Sequence, residues 1–162
     1  KKIKINNYKI IPEQPIDMGG ISCCYNRILD IVNNDEYDLS DVKYIVSIEN
    51  SIDILEDRLI DKVNIAIKDV KNNKMYYDNG GYAEISINIL DKYPNFIKIL
   101  KEFIANYKRS NNNFIFNGSD TTLGVLINKY YKNISSDNWM KDLLSIDRSE
   151  QIYKTFDKLE IN

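Results

Sequence analysis

Glu49 is the residue of this chain whose type and position most favour a catalytic or metal-binding role. It follows the apolar segment 44–48, which the sequence predicts as a central strand with Ile45 and Ile48 buried, and it precedes Asn50-Ser51. Ligands of open α/β sheets bind at the carboxyl ends of strands, and a carboxylate there can hold Mg²⁺ or activate a water molecule. Glu49 is therefore a candidate catalytic residue and metal ligand, and the alternative is a carboxylate that only ends a surface strand.

The other acidic residues around Glu49 favour a metal site less. Asp41 lies eight residues before Glu49, and eight residues of extended strand span roughly 25 Å. Asp41 and Glu49 can therefore share an ion only if the strand is short or bent. Four acidic residues follow Glu49 in a pattern typical of a solvated face, namely Asp53, Glu56, Asp57 and Asp61.

Asn26 and Arg27 are candidate ligand-binding residues on a predicted amphipathic helix from Ile21 to Val32. Arg27 borders the apolar face of this helix. A guanidinium group there can bind phosphate through two hydrogen bonds, and a plain surface charge is the alternative. The segment 118–124 (GSDTTLG) has some features of a phosphate loop but lacks the Gly-Lys-Ser/Thr ending.

The composition removes several kinds of chemistry. None of the 162 residues is a histidine, which excludes His-based catalytic triads, His-ligated zinc and imidazole general bases. The net charge of −2 gives no support to a nucleic-acid-binding surface. The adjacent Cys23 and Cys24 cannot complete a zinc site without histidine and fit a reducing, cytoplasmic compartment. The sequence has no membrane-length apolar run and no signal peptide, so a membrane is not expected as a partner. Because of the net charge, nucleic acid is not expected as a partner either.

The pattern of elements predicts one α/β domain over residues 1–162, with a mixed sheet flanked by helices. The predicted strands cover residues 2–11, 44–49, 63–70, 75–77 and 82–87. A hairpin turn is expected at 71–74 and a second turn at 78–81. Further helices are predicted at about 94–108, 121–131 and 149–159, and another through 139–144.

Four motifs occur in an order that resembles one protein family. They are I-P-E-Q-P at 11–15, C-C-Y-N-R at 23–27, V-S-I-E-N at 46–50 and T-T-L-G-V-L at 121–126. From Ile3 to Leu144 the chain is thereby similar to the inosine/xanthosine triphosphatases, the noncanonical purine nucleoside triphosphatases of the ITPase-like superfamily. Their corresponding patterns are V-P-E-Q-P, G-A-x-N-R, G-I-E-G-G and G-A-I-G-V-F, and PEQP is the most specific of them.

The resemblance implies a fold, an activity and a set of site residues. The implied fold is an elongated mixed β-sheet flanked by helices, with two lobes and a cleft. The implied activity is Mg²⁺-dependent hydrolysis of ITP or XTP by a homodimer. By position, Glu49 corresponds to the family's metal-binding carboxylate that helps to activate water. Arg27, next to Asn26, corresponds to a basic residue that faces the phosphates, and Asp41 to a second acidic ligand of some members.

A second hypothesis is a catalytically inactive ITPase-like domain that acts as a binding or assembly module. Tyr8 stands where the family has an acidic metal ligand, and an acidic pair of the family aligns with about 18–20, Met-Gly-Gly. The family's N-terminal T-x-N-x-x-K loop has no counterpart before Ile3. Phosphoryl-group hydrolysis depends on such charged groups, so their replacement favours binding without turnover.

Overall fold

A three-stranded antiparallel sheet with helices against both faces forms the centre of the fold. The computed structural model describes residues 13–55, 58–86, 89, 91–110, 118–119 and 121–161, so the predicted strand 2–11 lies outside the described residues. The strands are β1 (Gln14–Pro15), β2 (Tyr44–Ile54), β3 (Arg58–Asp69), β4 (Lys74–Ser86) and β5 (Gly118–Ser119). The helices are α1 (Gly19–Val32), α2 (Phe96–Ser110), α3 (Leu123–Tyr130), α4 (Trp139–Leu144) and α5 (Arg148–Phe156).

The strand order of the main sheet is β2-β3-β4, and both pairings are antiparallel. A mixed sheet was predicted, but the parallel contact among the described residues is a single bridge between Ile16 and Ile52. The short strands β1 and β5 pair antiparallel beside it. The chain is thus of mixed α/β class, with an antiparallel main sheet.

Among the described strands of the main sheet, β3 is central and β2 lies at the edge, in contrast to the central strand that was predicted at 44–49. β2 also continues five residues beyond Glu49 to Ile54. Ile45 is buried as expected, whereas the side chain of Ile48 is 40% exposed. Ile45 and Ile48 point to opposite faces because successive side chains of a strand alternate, and among the described residues α1 covers the face of Ile45.

Two helices cover the two faces of the sheet. Cys24 and Ile28 of α1 pack against Ile45 and Ala66 on one face. On the other face, α5 packs against the part of β3 that carries Val63, Ile65 and Ile67. The largest apolar cluster joins the far end of the sheet to α2, α3 and α4, and its fully buried members include Ile52, Leu59, Phe96, Phe103 and Leu123.

β4 is one strand where the sequence predicted two strands and a turn at 78–81. The hairpin turn at 71–73 is confirmed, but beyond it β4 runs to Ser86 with a shift of register opposite residues 61–63 of β3. Gly81 at this irregularity has φ +57, and a Cβ there would lie 2.6 Å from the carbonyl oxygen of Gln151. A glycine therefore lets β4 bend and α5 approach its backbone.

The helices of the described ranges begin and end within a few residues of the predicted positions. None of them is long and apolar enough to cross a membrane.

Candidate functional site

A cleft of about 360 Å³ opens beside the middle of β2, where Glu49 and Asn50 line it. Its other walls come from distant parts of the chain: the segment that begins β1, the start of α3, and the region from the start of α4 to the start of α5. The residues from these walls are Glu13, Gln14, Thr122, Gly124, Ser136, Asp137, Trp139 and Arg148. The cleft thus joins parts of three motifs that carried the family resemblance, PEQP, SIEN and TTLG.

Arg27 and Glu49, both predicted as site residues, form an ion pair. The Nη2 and Nε atoms of Arg27 donate to Oε2 of Glu49 at 2.9 and 3.1 Å. Burial raises the pKa of Glu49 above its usual value, and the Arg27 guanidinium opposes that rise. The guanidinium thus favours the charged form of a carboxylate that burial disfavours, and the charged form is the one that binds a cation.

Gly20 and Asn64 explain why α1 lies close enough to β2 to form this pair. A Cβ at Gly20 would lie 2.2 Å from Nδ2 of Asn64, so only a glycine permits this approach. The same Nδ2 donates to Oγ of Ser51 at 2.9 Å and to the carbonyl oxygen of Glu49 at 3.1 Å. Asn64 therefore holds the backbone of β2 on both sides of Asn50, at the edge of the cleft.

Asp61 lies beneath the cleft and was assigned wrongly to a solvated face. Its residue is only 1% exposed, and its Oδ1 accepts a hydrogen bond of 2.7 Å from Nδ2 of Asn50. Burial raises the pKa of Asp61 to about 6, against the attraction of Arg148 and hydrogen bonds from Asn50 and Gln151. The alternation of Leu59, Asp61 and Val63 on one face of β3 was the sequence signal for this burial.

Arg148 is a site residue that the sequence reasoning missed. It begins α5 and lines the cleft, and its positive charge opposes the rise that burial causes in the pKa values of Glu49 and Asp61. The sequence around it shows a cap at Asp147 and a helix, but gives no sign that α5 starts beside β2. Only the packing of α5 on the sheet brings Arg148 to the cleft.

Asn26, the other predicted binding residue, is buried within α1 and does not line the cleft. Its Nδ2 donates to the carbonyl oxygen of Ser22 at 2.7 Å, one turn earlier in the helix. A direct role of Asn26 in ligand binding stays a prediction, and its position indicates a role inside the helix.

Asp41, the second predicted metal ligand, is exposed in the turn before β2. Lys43 already pairs with β3, because Val70 N donates to Lys43 O. The six residues from Lys43 to Glu49 span about 20 Å, and the two residues from Asp41 to Lys43 recover at most about 7 Å of that distance. The structure therefore does not bring Asp41 to Glu49, because β2 is neither short nor bent there.

The described residues contain no group of three or more acidic or cysteine side chains that could hold a metal ion. A Mg²⁺ ion in a phosphate-binding site needs fewer protein ligands, because it is usually bound through one or two carboxylates together with the substrate's phosphates. Glu49 fits that smaller requirement, since it supplies one carboxyl group to the lining of the cleft.

No family model, curated protein or solved structure matches the chain.

Proposed function

We propose that the protein is a Mg²⁺-dependent hydrolase of noncanonical purine nucleoside triphosphates such as ITP and XTP, with the elongated two-lobed fold of the ITPase-like superfamily. One observation carries the proposal. Segments from PEQP, SIEN and TTLG lie more than thirty residues apart along the chain, yet residues of all three line one cleft. Three motifs that resemble those of one family thus contribute residues to the same cleft.

The cleft has the size and groups that a nucleotide requires. Its volume of about 360 Å³ lies within the usual range for small-molecule sites. Arg148 supplies a positive charge, and the N-terminal end of α3 at Thr122 and Gly124 adds the partial positive charge of a helix terminus. Both favour the phosphate end of a nucleotide.

Glu49 would hold the Mg²⁺ ion. The ion, when bound, would neutralise phosphate charge during hydrolysis. Arg27 orients the Glu49 carboxylate, because both of its hydrogen bonds fall on Oε2. Asn50 is held by Asp61 beside it. These residues fix the geometry of the site before the ligand enters, which lowers the cost of ordering it on binding.

A second candidate is the inactive binding or assembly module. The Arg27–Glu49 pair supports it, because a carboxylate that is neutralised by a guanidinium binds a cation less strongly. In this version the cleft binds a nucleotide without hydrolysis. The homodimer and the cytoplasmic location stay predictions.

Glu49→Gln separates these functions. The substitution keeps the shape of the side chain and removes the charge, so phosphate release from ITP or XTP with Mg²⁺ should fall by about 10²–10⁴-fold. Glu36→Gln, in an exposed loop between α1 and β2, is the matched control and should release phosphate at the wild-type rate. Melting temperatures of all three proteins show whether the fold is kept.

The same proteins test binding without turnover. Mg²⁺ with ITP should raise the melting temperature of the wild type, because a ligand stabilises the state that it binds. A rise without phosphate release would support the binding module. Neither hydrolysis nor stabilisation by ITP, XTP, dITP or GTP would refute both candidates.

A further inference from the structure

A groove of about 560 Å³ lies between α5, the bend of β4 at Gly81 and the connection from α4 to α5. It shares no lining residue with the cleft that Glu49 and Arg148 line. Its volume falls within the range of small-molecule sites. The proposed hydrolysis makes no use of this groove.

The wall of the groove contains a buried amide, the side chain of Gln151. The residue is only 3% exposed. Its Nε2 donates to the carbonyl oxygen of Gly81, and both residues line the groove. The same nitrogen is the donor towards Asp61, on the side of the cleft, because a carboxylate only accepts. The amide is thus held from two directions.

The other end of this amide is unsatisfied. Oε1 of Gln151 is buried and accepts no hydrogen bond from the described residues. A buried acceptor without a donor destabilises a protein, and such groups are rare in native structures. The amide cannot turn over to correct this, because Nε2 would then lose its acceptors. A ligand in the groove that carries an N–H group would supply the donor.

Two tyrosine rings stand at the same groove. Tyr153 and Tyr82 are 70% and 59% exposed, which makes them the most exposed large apolar side chains of the described residues. The ring of Tyr82 is held in place, because its hydroxyl donates to Oδ1 of Asn79 at 2.9 Å. Exposed aromatic rings are the surfaces on which flat heterocycles stack.

The charges of the groove do not favour an anionic ligand. Its lining includes two lysines and three acidic residues. Lys154 is already paired with Glu150 at 2.6 Å. Acidic side chains in excess repel a phosphate group, in contrast to the cleft with Arg148. The groove therefore suits an uncharged ligand.

We infer that this groove is a second binding site, for an uncharged planar heterocycle with an N–H donor, such as a nucleobase or a nucleoside. The ring stacks on Tyr82 or Tyr153, and its N–H donates to Oε1 of Gln151. The site does not depend on the proposed hydrolysis, because it rests on the amide, the rings and the charges of the groove alone.

Titration with inosine, followed by NMR, tests the site. The base of inosine is flat and carries one N–H donor at N1. We expect the amide signals of Gly81, Tyr82 and Tyr153 to shift and to saturate with a Kd of about 1 mM or lower. The ligand 1-methylinosine keeps the ring but lacks the donor, so it should bind at least about fivefold more weakly. Inosine 5′-monophosphate should shift the same signals less than inosine does.

A pair of variants tests the stacking. Tyr153→Ala should weaken inosine binding about fivefold or more, because one base stacked on an aromatic ring contributes that much. Tyr37→Ala is the matched control, since Tyr37 is 55% exposed in the segment between α1 and β2. It should bind inosine as the wild type does. Both rings are exposed, so both variants should keep the fold.

Four results would overturn the inference. They are groove signals that do not saturate by about 10 mM inosine, equal affinities for inosine and 1-methylinosine, a phosphate group that strengthens binding at these signals, and equal affinities of Tyr153→Ala and Tyr37→Ala. None of them bears on the proposed hydrolysis, which phosphate release from ITP or XTP and the Glu49→Gln variant test separately.

Discussion

Asp61 couples the stability of the protein to pH in the opposite direction from most carboxylates. Its pKa is raised from 3.8 to about 6 because burial disfavours the charged form. The folded state therefore binds the proton more tightly than the unfolded state. Stability rises as pH falls from about 6 to about 4, and the cost of the buried charge is fully present above pH 6.

Asp61→Asn should remove this pH dependence while keeping an acceptor for the Asn50 side chain. A raise of about two pKa units corresponds to roughly 3 kcal/mol at most. We expect the unfolding free energy of the wild type, relative to that of the variant, to increase by about 2–3 kcal/mol from pH 7 to pH 4. Urea unfolding of both proteins at four pH values measures this difference.

The comparison with the variant is necessary because other carboxylates act in the opposite sense. Backbone and side-chain hydrogen bonds lower the pKa values of Asp38, Asp69 and Asp147, so their stabilisation is lost as pH falls. These residues are the same in both proteins and cancel in the difference. Parallel stability curves for wild type and variant would contradict the raised pKa of Asp61.

At the residue scale, the sequence singled out two charges that the structure places in contact, and it misplaced a charge that the fold buries. Glu49 and Arg27 were selected by type and position, and the structure pairs them. Asp61 was assigned to the solvated face because it belongs to an acidic run, although the strand periodicity around it indicates burial. The number of acidic residues in a segment does not show which face of a strand each side chain occupies. That face decides whether a carboxyl group is buried or solvated.

At the scale of elements, the close packing of α1 on β2 is what brings Arg27 to Glu49. Gly20→Ala tests this packing, because the added Cβ would fall 2.2 Å from Nδ2 and 2.7 Å from Oγ of Ser51. Asn64 would have to move and lose its bonds to Ser51 and to Glu49 O. We expect a loss of about 1–3 kcal/mol in unfolding free energy.

Chemical denaturation measures the effect of Gly20→Ala, and Asp30→Ala is its control. Asp30 is exposed on the same helix, so its replacement should change stability by less than about 0.5 kcal/mol. Equal stabilities for the two variants would show that α1 does not approach β2 as closely as the structure has it.

Element types were more predictable than element partners. The helix over Ile21–Val32 followed from apolar spacing, since α1 buries one stripe against the sheet. The edge position of β2 did not follow, because an apolar run such as 44–48 fits a central strand equally well. In the part of the chain that the structure describes, residues 44–48 pair with β3 alone and α5 packs on β3 and β4, so Val46 and Ile48 are exposed.

At the scale of the whole molecule, the position of each strand in the sheet sets its local stability. β3 has strands on both sides and apolar cover from α1 and α5, whereas residues 44–48 of β2 pair with β3 alone within the described ranges. Opening of β2 therefore costs less free energy than opening of β3. We therefore expect hydrogen exchange to be slowest in β3, and not in the segment 43–49 that the sequence predicted as central.

The last prediction concerns alternate amides of β2, because the register with β3 decides the direction of each. The amides of Ile45 and Ser47 donate to β3 and should exchange slowly. The amides of Val46 and Ile48 point away from β3, where no described residue pairs with them, and should exchange at least tenfold faster. Hydrogen exchange followed by NMR resolves these amides individually. Exchange of Ile48 as slow as that of Ile45 would contradict this expectation and would mean that a further segment pairs with the outer edge of β2.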